Sequence, residues 1–224
     1  MPSIPRLPRK VQAVVFDMDG LIFNTEDLYR DAVMAVAAED GHDIPVDFYL
    51  STVGLPGDAT RAAFQDHFGM AFDFDAFRSK TSGRFRAMTT LHLRLKAGVV
   101  ELLDFLDEAG LPRAIATSSR HEDVQYNLGL HDLGHRFETV IASGDYSRGK
   151  PHPDPFLMAA ERLGVPPHDC VALEDSYHGV RAASAAGMMT IMVPDLLAST
   201  PEMERLCICI VRDLHQVCIL MNHD

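Results

Sequence analysis

Residues 11–20 read Val11-Gln12-Ala13-Val14-Val15-Phe16-Asp17-Met18-Asp19-Gly20, and these ten positions decide the fold. A short apolar, β-branched run halts abruptly at an acidic turn that contains glycine. The run shows no polar alternation, so both faces of the strand have to be covered. That is the condition of a parallel strand inside an α/β sheet.

Beyond this strand, the texture from about Thr25 to about Leu95 is helical. Residues 28–40, 58–68 and 74–95 carry apolar side chains at helical spacing. They are separated by Gly41-His42-Asp43-Ile44-Pro45 and Gly54-Leu55-Pro56-Gly57, and no strand is expected among them. After Gly98 helices and strands alternate. Helices are expected over 99–109, 120–129, 153–164 (with proline in its first turn) and 176–187. Strands are expected over 112–117, 137–142, 170–173 and 189–193, with an edge strand over 206–211 before a last helix. Alternation of this kind predicts a parallel sheet with helices on both faces. The expected architecture is therefore α/β. A doubly wound, Rossmann-like parallel-sheet core (residues 1–24 and 96–224) carries an α-helical cap (residues 25–95) inserted after the first strand.

Composition narrows the function. The 224 residues are 47% hydrophobic and 23% charged, which suits a globular chain with a sizeable core. Tryptophan is absent and aromatics are 8%, so the core is expected to rest on aliphatic and methionine packing. A net charge of -12 argues against a nucleic-acid surface, because duplex binding neutralises phosphates with Lys and Arg. Cys170, Cys207, Cys209 and Cys218 show neither a CxxC pair nor metal-like spacing with His, and are expected to be buried free thiols. The first ten residues are basic but broken by prolines, without the apolar stretch of a signal peptide, and no run approaches membrane-spanning length. The expectation is a cytoplasmic protein with no nucleic-acid or membrane partner, a monomer by default.

In a doubly wound sheet, ligands bind beyond the carboxyl ends of the strands near the switch point. The residues just past each strand are therefore the useful test. Asp17 and Asp19 come after the first, and Thr117, Ser118 and Ser119 after the second. The loop 143–149 after the third leads to Lys150, and Glu174 and Asp175 come after the fourth. Taken singly, each has a plain structural reading: a turn, a helix cap, a solvated charge, or an acidic first turn. Four strand ends supplying acids, hydroxyls and one lysine in order exceed what capping needs.

The residue types suit phosphoryl transfer. A carboxylate such as Asp17 attacks phosphorus only if a metal and a cation neutralise the approaching oxygens. Mg²⁺ takes a few hard oxygens plus water, which Asp17, Asp175 and the backbone carbonyl of Asp19 can supply, with Glu174 as a ligand or acting through a water. Thr117, Ser118 and the amides after Thr117 suit phosphate oxygens, and Lys150 balances transition-state charge. Asp19, two residues beyond the nucleophile, suits general acid and then base work.

These residues carry a resemblance. The stretches Phe16-Asp17-Met18-Asp19-Gly20-Leu21-Ile22 with Thr25 and Glu26, Ala116-Thr117-Ser118-Ser119, Gly149-Lys150-Pro151-His152-Pro153-Asp154-Pro155-Phe156, and Leu173-Glu174-Asp175-Ser176 with Gly179 resemble the haloacid dehalogenase-like (HAD) superfamily, in its β-phosphoglucomutase-like branch. The resemblance spans about residues 11–195. It implies a Mg²⁺-dependent phosphatase acting on a small phosphorylated metabolite, with Asp17 as nucleophile and Asp19 as acid/base. Thr117 and Lys150 would then serve phosphate, and Asp175 and Glu174 magnesium. Asn24 stands where the family usually has Asp. Asp19 argues against dehalogenase and phosphonate-cleaving chemistry, whose members lack an acid there. The sugar-phosphate mutase carries an Arg near the position of Gly57, so hydrolysis is expected over mutase activity. A non-catalytic phospho-acceptor module also combines strand-end acids, Thr and Lys, but is shorter and has no helical insert.

Within the insert, residues 53–58 form the expected specificity loop, with Gly54, Leu55 and Gly57 as candidate substrate contacts. His121 and His178 lie near the mouth by sequence. Arg61, Lys80, Arg84 and Arg86 are candidate anion contacts whose plainer role is solvated surface charge, and Met188 and Met189 are core filler.

Overall fold

The computed structural model describes residues 6–55 and 57–222. The first strand, β1 (Ala13–Phe16), leads into four helices, α1 (Thr25–Glu39), α2 (Val46–Thr52), α3 (Gly57–Phe68) and α4 (Phe74–His92). The chain then alternates through α5 (Val99–Ala109), β2 (Arg113–Arg120), α6 (His121–Leu130), β3 (Thr139–Ser143), α7 (Asp154–Leu163), β4 (Cys170–Glu174), α8 (Tyr177–Ala185), β5 (Met189–Met192), α9 (Pro201–Leu206), β6 (Cys209–Ile210) and α10 (Leu214–Asn222).

All strand pairings are parallel, in the order β3-β2-β1-β4-β5-β6. The chain winds outward from β1 to β3, returns to the other flank of β1 as β4, and winds outward again. The reversal places the switch point between the carboxyl ends of β1 and β4, where such sheets open a crevice. Register sets what meets there. Phe16 pairs with Leu173, and Asp17 N donates to Leu173 O at 2.9 Å, so Asp17 and Glu174 leave their strands side by side.

The four residues of β1 are fully buried, as the apolar run requires. On one sheet face Ala13, Val15, Ala114, Ala116, Ile141 and Ala172 pack with Phe156, Ala159 and Ala160 of α7 and Ala182 and Ala183 of α8. Alanines on both layers let helix and sheet backbones approach, and Phe156 fills the remaining space. Burying side chains the size of Val15, Ile141 and Phe156 contributes about 1.5–3 kcal/mol each. Phe16 meets Phe137 edge-to-face at 5.7 Å.

The described chain divides into two compact units; one ends at Asn24 and resumes at Arg94, and the other is Thr25–Leu93. The second unit departs from the expected aliphatic core. Seven of the chain's twelve phenylalanines (48, 64, 68, 72, 74, 77 and 85) lie in it. Phe64 is at its centre, with ring centroids of Phe48, Phe74 and Phe77 at 5.2, 5.4 and 5.5 Å. A low overall aromatic content concealed this local concentration.

Several boundaries differ from expectation. The helix expected over 74–95 ends at His92 because Leu93 turns extended. Arg94 O accepts from Asn24 N at 3.1 Å, Arg94 N donates to Asn24 Oδ1 at 2.7 Å, and Phe23 bridges Leu95. Pairing with a distant segment outweighs continued helical spacing. Helix α2 has seven residues, too few to show a period. Helix α9 ends at Leu206, the first residue of the expected edge strand, and β6 keeps only Cys209 and Ile210 of that stretch. Its start carried a legible signal, since Thr200 caps Met203 N and Pro201 occupies the first turn. All four cysteines are free, but only Cys170 is buried. Cys207, Cys209 and Cys218 are half-buried, Cys209 because it lies on β6, the strand at the edge of the sheet. No helix among the described residues is long and apolar enough to cross a membrane.

Candidate active site

At the switch point Lys150 reaches Asp17 Oδ1 and Glu174 Oε1, both at 2.5 Å. The three side chains are only 6%, 8% and 0% exposed. The ammonium also lies 5.1 Å from the centroid of the Phe156 ring. Burial pushes the Asp17 pKa well up, with Lys150 opposing and Glu174 and Asp19 adding to the rise. Burial pulls Lys150 the other way, but the Asp17 and Glu174 carboxylates outweigh it and hold the ammonium protonated.

Glu174 is held on all sides. Its Oε2 accepts from Asp175 N and Ser176 N, both at 3.1 Å, and from Ser176 Oγ at 3.0 Å. Ser176 Oγ in turn accepts from Gly179 N at 3.1 Å, capping α8. The carboxylate thus nests on the N-terminus of α8, whose dipole favours negative charge. The nest requires glycine at 179, because a Cβ there would lie 1.7 Å from Glu174 Oε1.

A second glycine makes room for Asp175. Gly20 has φ +82°, and a Cβ on it would lie 2.2 Å from Asp175 Oδ2 and 3.2 Å from Asp195 Oδ2. Asp195, just beyond β5, is a further acid at this edge and bonds Lys96 at 2.5 Å. Applying the strand-end test to β5, as to the other strands, would have found it.

Asp17, Glu174 and Asp175 each offer a carboxylate oxygen within 4.8 Å of the others. An all-oxygen, hard donor set suits Mg²⁺ or Ca²⁺ rather than a thiophilic or imidazole-seeking metal. The residues fit a divalent cation.

Across the crevice, β2 supplies the hydroxyls. Thr117 is buried, Ser119 half-buried and Ser118 exposed. Thr117 Oγ1 accepts from Ser119 N at 3.0 Å, and Tyr146 Oη donates to the Thr117 carbonyl at 3.0 Å. Asp19 Oδ2 accepts from Ser119 Oγ at 2.5 Å and, more distantly, from Thr117 Oγ1 at 3.4 Å. His121 Nε2 meets Asp145 Oδ2 at 2.9 Å. The Ala142 N–H and then His121 hold the Asp145 carboxyl below its usual range.

Asp17, Lys150, Glu174 and Asp175 thus form one contiguous cluster, and Asp19 touches Thr117. Tyr146, Lys96 and Asp195 are the neighbours that the sequence did not single out for the site, and Ser119, placed there as one of the strand-end hydroxyls, contacts Asp19. Gly54 (at φ +78°), Leu55 and Gly57 belong to the helical unit, and Pro56 of the same loop lies outside the described residues. Arg61 pairs with Asp75, Lys80 with Asp40 and Arg84 with Glu39, all within that unit, while Arg86 is exposed. His178 sits half-buried on α8, and Met188 and Met189 are buried in the core.

A family profile described as haloacid dehalogenase-like hydrolase matches residues 14–193. The chain is 36% identical over 196 residues to a Drosophila melanogaster protein named "Probable pseudouridine-5'-phosphatase", covering 84% of this chain and 83% of that protein. It is 30% identical over 181 residues to the phosphorylated carbohydrates phosphatase of Thermotoga maritima, covering 81% and 84%. Among solved structures, CbbY from Rhodobacter sphaeroides in complex with phosphate superposes with a TM-score of 0.73 at 25% identity, covering 91% of this chain and 95% of that one.

Proposed function

The chain belongs to the haloacid dehalogenase-like hydrolase family and is a phosphatase of that family, and from this premise we propose that it hydrolyses a small phosphomonoester with Mg²⁺ through an aspartyl-phosphate on Asp17. The observation that carries the proposal is the contact of one buried lysine with both Asp17 and Glu174, beside a three-carboxylate group. Three clustered acids with a single internal cation leave negative charge to be balanced, which a divalent cation would do.

In the first step an Asp17 oxygen bonds to phosphorus as the ester P–O bond breaks, and Asp19 gives its proton to the leaving oxygen. In the second, Asp19 takes a proton from water as the water oxygen bonds to phosphorus. The Asp17–phosphorus bond breaks and releases inorganic phosphate. Lys150 and Thr117 hold the phosphoryl oxygens, with the Ser118 amide as a further donor. Asp17, Asp175 and the carbonyl of Asp19 would hold Mg²⁺, which supplies neutralisation of charge on the transferring phosphoryl group. Glu174 already accepts four hydrogen bonds, so its role is to aim Lys150 and to reach the cation through water.

The relatives named for pseudouridine 5′-phosphate and phosphorylated carbohydrates support a small phosphorylated sugar or nucleoside as substrate. Glycine at 57, where the mutase carries arginine, favours hydrolysis over phosphosugar transfer. Gly54, Leu55, Gly57 and His121 are the proposed substrate contacts, and the free thiols support a reducing, cytoplasmic setting.

Hydrolysis of p-nitrophenyl phosphate tests this. Turnover is expected with Mg²⁺, to vanish with EDTA, and to return when Mg²⁺ is restored. In Asp17→Asn it is expected to fall by about 10⁴-fold or more, the scale on which loss of a nucleophile acts. Undiminished turnover in EDTA, or appreciable turnover in that variant, would remove the cation or Asp17 from the reaction.

A further inference from the structure

Ser119 has no part in the two-step hydrolysis, yet its hydroxyl is aimed at the proton carrier of that reaction. Ser119 Oγ lies 2.5 Å from Asp19 Oδ2, across 100 residues of sequence. The aim is built into the strand. β2 pairs with β3 up to Ala116 and again at Arg120 opposite Ser143, with a register shift between, so residues 117–119 leave the ladder. The Ser119 N–H donates to Thr117 Oγ1 at 3.0 Å and fixes this bulge. Hydroxyls just before a helix ordinarily cap it. Here the N-cap of α6 is Arg120, with no side-chain bond to the helix, and Ser119 Oγ is directed to Asp19 instead.

We propose that Ser119 is a positioning residue that orients the acid–base carboxylate of Asp19. The proposal rests on the reading of Asp19 as acid and then base. Ser119 Oγ donates to Oδ2 and occupies that oxygen, which leaves Oδ1 as the oxygen free of this contact and favoured for passing the proton. Anchoring one oxygen also limits rotation of the carboxyl group, and general acid–base efficiency depends on such geometry before all else. Thr117 Oγ1, at 3.4 Å from the same oxygen, is too distant to substitute fully.

The test compares two leaving groups. p-Nitrophenolate departs without a proton, whereas the alkoxide of a sugar phosphate needs one. kcat/KM reports the first phosphoryl transfer, so Ser119→Ala is expected to leave kcat/KM for p-nitrophenyl phosphate within about twofold while lowering it for the sugar phosphate by about tenfold or more. For the aryl ester kcat is expected to fall, with a burst of p-nitrophenolate, because the second step still needs Asp19 as base. Ser119→Thr is expected to restore the wild-type ratio between the two esters. Equal loss on both esters, or no loss on either, overturns the proposal and leaves Ser119 a structural residue. Asp19→Ala serves as the control and is expected to show the same split on a larger scale. A split there without one in Ser119→Ala sinks Ser119 alone, whereas no split in Asp19→Ala overturns the acid–base reading itself.

Discussion

Two ion-paired lysines in this chain show opposite relations between charge and structure. Lys150 sits at the carboxyl edge of the sheet with 6% of its side chain exposed, bonded to two carboxylates that are equally hidden. Lys80, in the helical unit, bonds Asp40 at 2.6 Å with 57% of its side chain in solvent. The contacts are alike, but their energetics are not. Desolvating an ion costs several kcal/mol, and mutual attraction returns that only when hydrogen bonding is nearly complete. The bonds around Glu174 are the sign that the sheet edge meets this condition. A solvated pair has little to lose and contributes little. Buried charge at the sheet edge is therefore what the proposed phosphate chemistry would draw on, while charge on the helices meets solvent.

Three substitutions probe that contrast, and the first should do the most damage. Lys150→Met leaves Asp17 and Glu174 buried without their counter-ion. Breaking a buried pair this way is expected to cost about 3–5 kcal/mol in denaturant unfolding. Turnover of p-nitrophenyl phosphate by the folded variant is expected to fall by about 10²–10³-fold. A variant as stable as the wild type would show that the lysine is no more committed than one on the surface.

Gly179→Ala probes the nest itself. The new methyl group would occupy the volume of the Glu174 carboxylate, so a loss of about 1–3 kcal/mol is expected in the same unfolding measurement. Turnover is expected to fall with it, because Glu174 aims Lys150. Unchanged stability and activity would mean that the carboxylate can move aside freely. Lys80→Ala is the opposite pole. Its melting temperature is expected to stay within about 2–4 °C of the wild type, with turnover unchanged. A larger drop in a thermal melt would erase the distinction between the two regions.

The same contrast governs what was legible beforehand. β1 could be read from residues 11–16 because burial on both faces admits only apolar side chains, and local composition reports that directly. The strand-end positions of Asp17, Thr117, Lys150, Glu174 and Asp175 were legible because a parallel sheet collects its carboxyl ends at one edge. The phenylalanine-rich core of the helical unit escaped a whole-chain average, and α2 was too short to display a period.

Pattern and residue type, both local properties, were enough to determine a parallel α/β sheet, a helical insertion after its first strand, and acids, hydroxyls and a lysine at the strand ends. Tertiary structure alone decided that Lys150 bridges Asp17 and Glu174, that Gly20 and Gly179 clear space for carboxylates, that Asp195 stands beside Asp175, and that Ser119 turns to Asp19 rather than to its own helix. The reason is range. The Lys150–Asp17 bond spans 133 positions and the Ser119–Asp19 bond 100. Over such separations a side chain's partner depends on where two backbones pass, which strand register and packing set and no local pattern records.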